Sequence, residues 1–415
     1  MKKRILVIVV IITIIGIVSY KCVENKNVIA KNTTKQVVKT NMLTMMLETE
    51  AESGIYEESI QNEWPTDGYV FNAELSNCEN GGTVIWDETS KKVIMQSNTS
   101  DRCYVYFKKK KATFANYLID NVYVSDGINN LYYHDETGNY NYFILEAGDN
   151  SYRYSGSNPN NYVCFGSDEA LCPLNNTYRI IGIFDDDQDG TYNVKLIKSD
   201  YTNSDMLGTN GDYSGTVTIM GNYYKGNLTS FDRYYGNYDT TWTEREFFTI
   251  NLNTNYWNYL NEDCQNMIEL TTWKVGGNNY SKILSVAVKD TYQNEIINPS
   301  LSMTYTDEIG LMYVSDYGYA ASPENWQTLI GGYNNDTNRN NNWLYMGLDE
   351  WTITYSPWIA TTAFQIEDNG KVAYIVNGGL ALRPVFYLKS DVVLKKGNGT
   401  FSDPYRLEIN DNLLN

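Results

Sequence analysis

Apolar and polar residues alternate with a period of two in four short stretches between residues 69 and 107: YVFNAEL, GTVIWDE, KKVIMQS and RCYVYF. The turn-forming sequences CENGG, ETS and NTSD separate them. Such alternation between turn signals predicts a small antiparallel β module. A period nearer 3.6 runs through NMLTMMLETEAES, where methionines and leucines recur at helical intervals and predict a helix. WPTDGY ends that pattern with proline and turn residues.

Beyond residue 111 the chain is polar and tyrosine-rich. ATFANYLIDNVY predicts a helix, and INLNTNYWNYLNEDCQNMIEL a longer one with Leu252, Tyr256, Tyr259, Leu260, Met267 and Ile268 on one face. TYRIIGIF and TYNVKLIKSDY predict two strands joined by an acidic turn, and VAYIVN, ALRPVFYLK and DVVLKK predict closing strands. Long irregular loops between few elements make the expected class α+β.

The first 21 residues change the picture. MKKR precedes an unbroken apolar run from Ile5 to about Tyr20, which predicts export and an uncleaved anchor with the body outside the cell. Cleavage after Val28-Ile29-Ala30 is the competing reading. Cys22 follows Val-Ser-Tyr-Lys and lacks the small residue that a lipid-attachment site needs before it. The expected order is an anchor at 1–21, a partly helical stalk at 22–62, a β module at 63–110 and a body at 111–415. KKKK, Lys108 to Lys111, is expected to be a solvated linker.

With 32 basic against 50 acidic residues, the net charge is −18, so nucleic acid is excluded as a partner. Four of the cysteines form close pairs in sequence. Cys78 with Cys103, and Cys164 with Cys172, are expected as local disulfides in an oxidising compartment, the alternative being buried free thiols. Cys264 is expected on the apolar side of a helix.

The run GLMYVSDYGYAASPENW, the segment NWLYMGLDEWTI and the end GLALRPVFYLKSDVVLKKGNGTFSDPYRL resemble a family of exported proteins of low-GC Gram-positive gut bacteria. The segment from MLETEAESGIYEES to WPTDGYVFNAELSNCENG resembles that family's N-terminal module. Those bodies are similar to the C-type-lectin-like fold shared with formylglycine-generating enzymes and phage receptor-binding tips. The resemblance implies a C-type-lectin-like body with a loop-rich recognition face. It does not carry the activity over, because a redox-active cysteine pair is missing beside Cys264. Nor does calcium-mediated sugar binding carry over, since Ser322-Pro323-Glu324-Asn325-Trp326 only scrambles the lectin motif.

Candidate chemistry is sparse. Asp185, Asp187 and Asp189 before Gly190 match the first half of a calcium loop, but the twelfth position is Leu196 instead of glutamate, and Asp189-Gly190 also suits a hairpin turn. No other cofactor is implied. His134, the single histidine, is expected in a surface loop. Arg383 stands in an apolar run before Pro384 and calls for a carboxylate partner. The expected ligand-binding residues are Trp326, Trp343, Tyr345, Asp349 and Arg383, contacting an extracellular glycan or protein. Trp351 is expected to begin a strand against the core. The alternative is a structural or assembly component of the cell surface, in which the apolar N-terminus and the methionine-rich helix drive lateral packing; an enzyme ranks third.

Overall fold

A computed structural model describes residues 41–410, except 62, 66–67, 98–99, 136, 138, 141–142, 186–187, 221–224, 233–245, 358–361 and 376–378. The expected anchor, Cys22, the start of the stalk, Asp187 and Trp358 lie outside the described residues. Among the described residues no helix is long and apolar enough to cross a membrane. The protein is mixed α and β, mostly strands with few short helices. Two compact units divide it, Met1–Lys109 and Lys110–Asn415.

In the first unit the methionine-rich segment is not a helix. Met42–Glu48 is a strand, parallel to Arg102–Lys109 and antiparallel to Tyr56–Glu58, so the expected helical stalk is corrected and the sheet is not wholly antiparallel. Of the two segments expected to drive assembly, the methionine-rich one is thus a strand, and the apolar amino end lies outside the described residues. Pairing overrides the helical spacing because Met45 is buried beside Val105 and Phe107, with the rings of Trp64, Phe71 and Trp86 packed on Phe107. Glu48, buried in this strand, accepts the Gly54 and Lys109 N–H groups on its two oxygens. Tyr69–Phe71 and Asn77–Cys78 pair with the other edge of Arg102–Lys109, while Thr83–Asp87 and Lys92–Gln96 form a hairpin. Cys78 stands directly opposite Cys103 and is bonded to it.

The second unit is built on a six-stranded antiparallel sheet. Its order is Val385–Tyr387, Asn193–Lys198, Thr177–Phe184, Ser151–Tyr154 and Leu131–His134, with Tyr162–Cys164 also paired to Thr177–Phe184. Every residue of Thr177–Phe184 is buried, as expected of a strand covered on both faces. Cys164 and Cys172 are bonded, and the Arg406 guanidinium gathers the Ser167 and Glu169 carbonyls of their loop. Cys264 is a buried free thiol whose pKa burial pushes up to about 12.

The long helix expected over 250–270 is divided. A π-helical run, Phe247–Tyr256, continues into Trp257–Tyr259; Leu260 is then extended, and Asn261 caps a second helix, Glu262–Met267, by accepting the Cys264 N–H. Leu252, Tyr256, Leu260, Met267 and Ile268 are buried, but Tyr259 is 41% exposed.

Candidate functional site

Four adjacent strands place one residue each in a row. Arg153 pairs with Gly182, Gly182 with Lys195, and Lys195 with Tyr387. Residues in register point to the same face of a sheet, so Arg153 and Lys195 flank a position without a side chain. Gly182 is required there: a Cβ would lie 2.5 Å from the Tyr152 carbonyl oxygen and 3.0 Å from the Phe184 ring. Both long cations are buried on this face, which demands partners.

The partners come from outside the sheet. Asp316 lies in the first turn of the short helix Val314–Tyr319, and its Oδ2 accepts the Tyr313 N–H at 2.8 Å, closing the helix start. The same Oδ2 lies 2.6 Å from Lys195 Nζ, and Oδ1 lies 3.7 Å from Arg153 Nη1. Arg153 Nη2 donates to Asp149 at 2.5 Å, and its Nε donates to the Ser151 hydroxyl. A ladder of alternating charge results: Asp149, Arg153, Asp316, Lys195. Burial would raise the Asp149 pKa, but the Arg153 guanidinium and the hydrogen bonds from Ser151 and Arg153 act together against it and hold the carboxyl below its usual range. Burial likewise works to lower the Arg153 pKa and is outweighed by Asp149, Asp316 and the neighbouring tyrosines together.

Aromatic rings enclose the ladder. Lys195 Nζ is 4.6 Å from the Tyr313 ring centre, 5.3 Å from Tyr387, 5.6 Å from Phe184 and 5.7 Å from Trp273. The Arg153 guanidinium lies over Phe184, Tyr319 and Tyr292. Above them opens a cavity of about 540 Å³, lined also by Asp189, Thr191, Asn193, Glu269, Thr271, Thr272, Lys274 and Ser390. Its size is ordinary for a small-ligand site.

Two buried acids stand behind this floor. Glu295 accepts the Ser315 N–H and the Thr354 hydroxyl, each at 2.7 Å. Burial raises its pKa to about 7, against the pull of those hydrogen bonds. Glu146 lies 2.6 Å from Nδ1 of His134, whose ring packs on Tyr319 and Trp326. His134 is therefore a fully buried strand residue and not the expected surface-loop histidine.

The residues expected to bind ligand lie elsewhere, and none of the five lines this cavity. Trp326 is fully buried, its indole N–H donating to the Ala321 carbonyl at 2.8 Å. Trp343 is 4% exposed; its N–H donates to the Tyr154 carbonyl and its ring stacks 4.4 Å from the Arg179 guanidinium. Neither ring offers a recognition face, so that expectation is corrected: each indole ends a core contact. Trp351 is buried in the strand Glu350–Ser356. Tyr345 donates to the Asp368 carbonyl and Asp349 accepts the Asp368 N–H, which fastens one turn from two sides. Burial raises the Asp349 pKa. Arg383 meets Glu350 through Nε at 2.7 Å and Nη2 at 2.8 Å and also donates to the Leu344 carbonyl, a buried bidentate pair.

In the acidic turn, Asp185 accepts the Asp189 and Gly190 N–H groups and Asp189 accepts the Thr191 N–H. These carboxylates close the hairpin turn. Of the two described members of this triplet, Asp189 borders the cavity and Asp185 does not. Three potential metal-ligating side chains, Cys78, Asp101 and Cys103, lie close together, but both cysteines are spent in the disulfide. Lys195 and Gly182 stand inside the apolar strands VKLIK and YRIIGIF, but nothing local in either strand points to their partners in this cluster. No known family, no curated protein and no solved structure matches the chain.

Proposed function

We propose that the protein is an exported, membrane-anchored binding protein whose body takes an uncharged, hydroxyl-rich ligand, a glycan, in the cavity above Lys195. The observation that carries this reading is the pairing at the cavity floor. Lys195 and Arg153 are already neutralised by Asp316 and Asp149. A carboxylated ligand would have to break a buried pair, at a cost of about 3–5 kcal/mol. The rim carboxylates Asp189 and Glu269 outnumber Lys274 and oppose anions further. Thr191, Asn193, Thr271, Thr272 and Ser390 supply uncharged polar groups, and the edges of Tyr292, Tyr313 and Tyr387 supply apolar wall.

Export is supported by the basic, then apolar, amino end and by the two disulfides. The antiparallel sheet, short helices and long loops support a C-type-lectin-like reading of the body. The ligand site proposed is the cavity and not the tryptophan loops.

A glycan array followed by calorimetry on neutral hits tests this reading. Thr272 is exposed at the rim, so Thr272→Trp fills the mouth without entering the core. The expected outcome is lost binding at unchanged Tm. A protein that binds no neutral glycan, or a T272W variant that binds as the wild type does, would sink it.

A further inference from the structure

We propose that Lys195 and Asp316 become joined by an intramolecular amide, a covalent tie between the central sheet and the helix packed on it. The ammonium and carboxylate stand 2.6 Å apart, with side-chain exposures of 1% and 3%. Four rings surround the nitrogen. Held together in this way, an amine and a carboxyl react at effective concentrations of about 10⁵ M or more, enough to drive a condensation that is unfavourable between separate molecules in water. Burial pushes in the same direction. An ion pair in an aromatic enclosure carries a desolvation penalty, and an amide removes both of its charges.

The surrounding groups suit each stage. A proton passes from Nζ to Oδ2 across their contact, leaving a neutral amine and a carboxylic acid. The nitrogen lone pair attacks Cγ. The charge that develops on Oδ1 faces Arg153 Nη1, 3.7 Å away, and the Tyr313 N–H on Oδ2 polarises the carboxyl further. A second proton moves from nitrogen to Oδ2, which departs as water. One C–N bond forms and one C–O bond breaks; nothing is oxidised or reduced and no co-reactant is consumed. The tie spans 121 residues of sequence. It is independent of what occupies the cavity, since an uncharged ligand uses neither charge.

Peptide mapping of the full chain decides the matter. After denaturation, reduction and alkylation, trypsin cannot cut at an amidated lysine. The expected product is Ile180–Lys198 linked to Asp290–Arg339, lighter than the two peptides together by the mass of one water. Lys195→Arg keeps the charge pairing but is expected to release Asp290–Arg339 unlinked. Wild-type protein that is cleaved after Lys195 and yields free Asp290–Arg339 of unaltered mass overturns the proposal, and that result needs no variant to fold.

Discussion

Glu295 is fixed between the Ser315 N–H and the Thr354 hydroxyl, and burial raises its pKa from 4.5 to about 7. A raised carboxyl pKa means that the folded chain holds this proton more tightly than the unfolded chain does. Its contribution is therefore fully present below pH 4.5, is lost as pH rises toward 7, and is flat above that. The span corresponds to about 3 kcal/mol. Glu295→Gln keeps an acceptor for Ser315 and is expected to abolish this slope; urea melts of both proteins from pH 4.5 to 8 would reveal it, and parallel curves would refute it. Arg383 gives a second case. Its need for a carboxylate was legible from an arginine before proline in an apolar run, but nothing local singled out Glu350, 33 residues away. Arg383→Met leaves Glu350 buried and unpaired, so a loss of about 3–5 kcal/mol is expected in thermal or urea unfolding. A loss below 1 kcal/mol would mean that the pair contributes little.

Strands were the most legible elements, since the four period-two stretches of the first unit coincide with Tyr69–Phe71, Thr83–Asp87, Lys92–Gln96 and Arg102–Lys109. Alternation is written locally by one buried face. The methionine-rich strand was illegible because MLTMMLE also fits a helical face, and only its partner Arg102–Lys109, some sixty residues on, decides between them. The long helix failed differently, at Leu260, where an apolar residue continues the helical pattern while Asn261 starts a new cap. The disulfides separate by loop length. Cys78–Cys103 closes 25 residues and Cys164–Cys172 only 8. The denatured-state model gives about 3.5 and about 2.5 kcal/mol respectively. The double change Cys78→Ala, Cys103→Ala is thus expected to be the costlier, with faster amide hydrogen exchange in Arg102–Lys109. The core it staples is small, centred on Met45, Val105 and Phe107. Equal protection in that strand before and after the change would contradict this assignment.

At the scale of the whole molecule, the charge ladder could not be read in advance. Each member looks ordinary in its own segment: Arg153 among tyrosines, Lys195 in a strand, Asp316 at a helix start. Only the antiparallel register brings Arg153 and Lys195 to the two sides of Gly182, and only a helix 121 residues away supplies Asp316 between them. The tryptophan segment misled for the complementary reason. Its composition suits a recognition loop, but Trp343 closes on Arg179 and the Tyr154 carbonyl, so its polar edge is satisfied inside. A closed ladder has a measurable consequence for binding. The chain carries a net charge of −18, and screening beyond about 8 Å at physiological salt would weaken or strengthen any charged ligand according to its sign. An uncharged ligand meeting neutralised floor charges has no such term. Its Kd is expected to change less than about twofold between 50 and 500 mM NaCl, within the ~0.4 kcal/mol that a twofold change represents. Calorimetric titration of a neutral glycan hit at both salt concentrations measures this directly. A change of tenfold or more would show that an unpaired charge in the cavity takes part in binding and would overturn the uncharged-ligand reading.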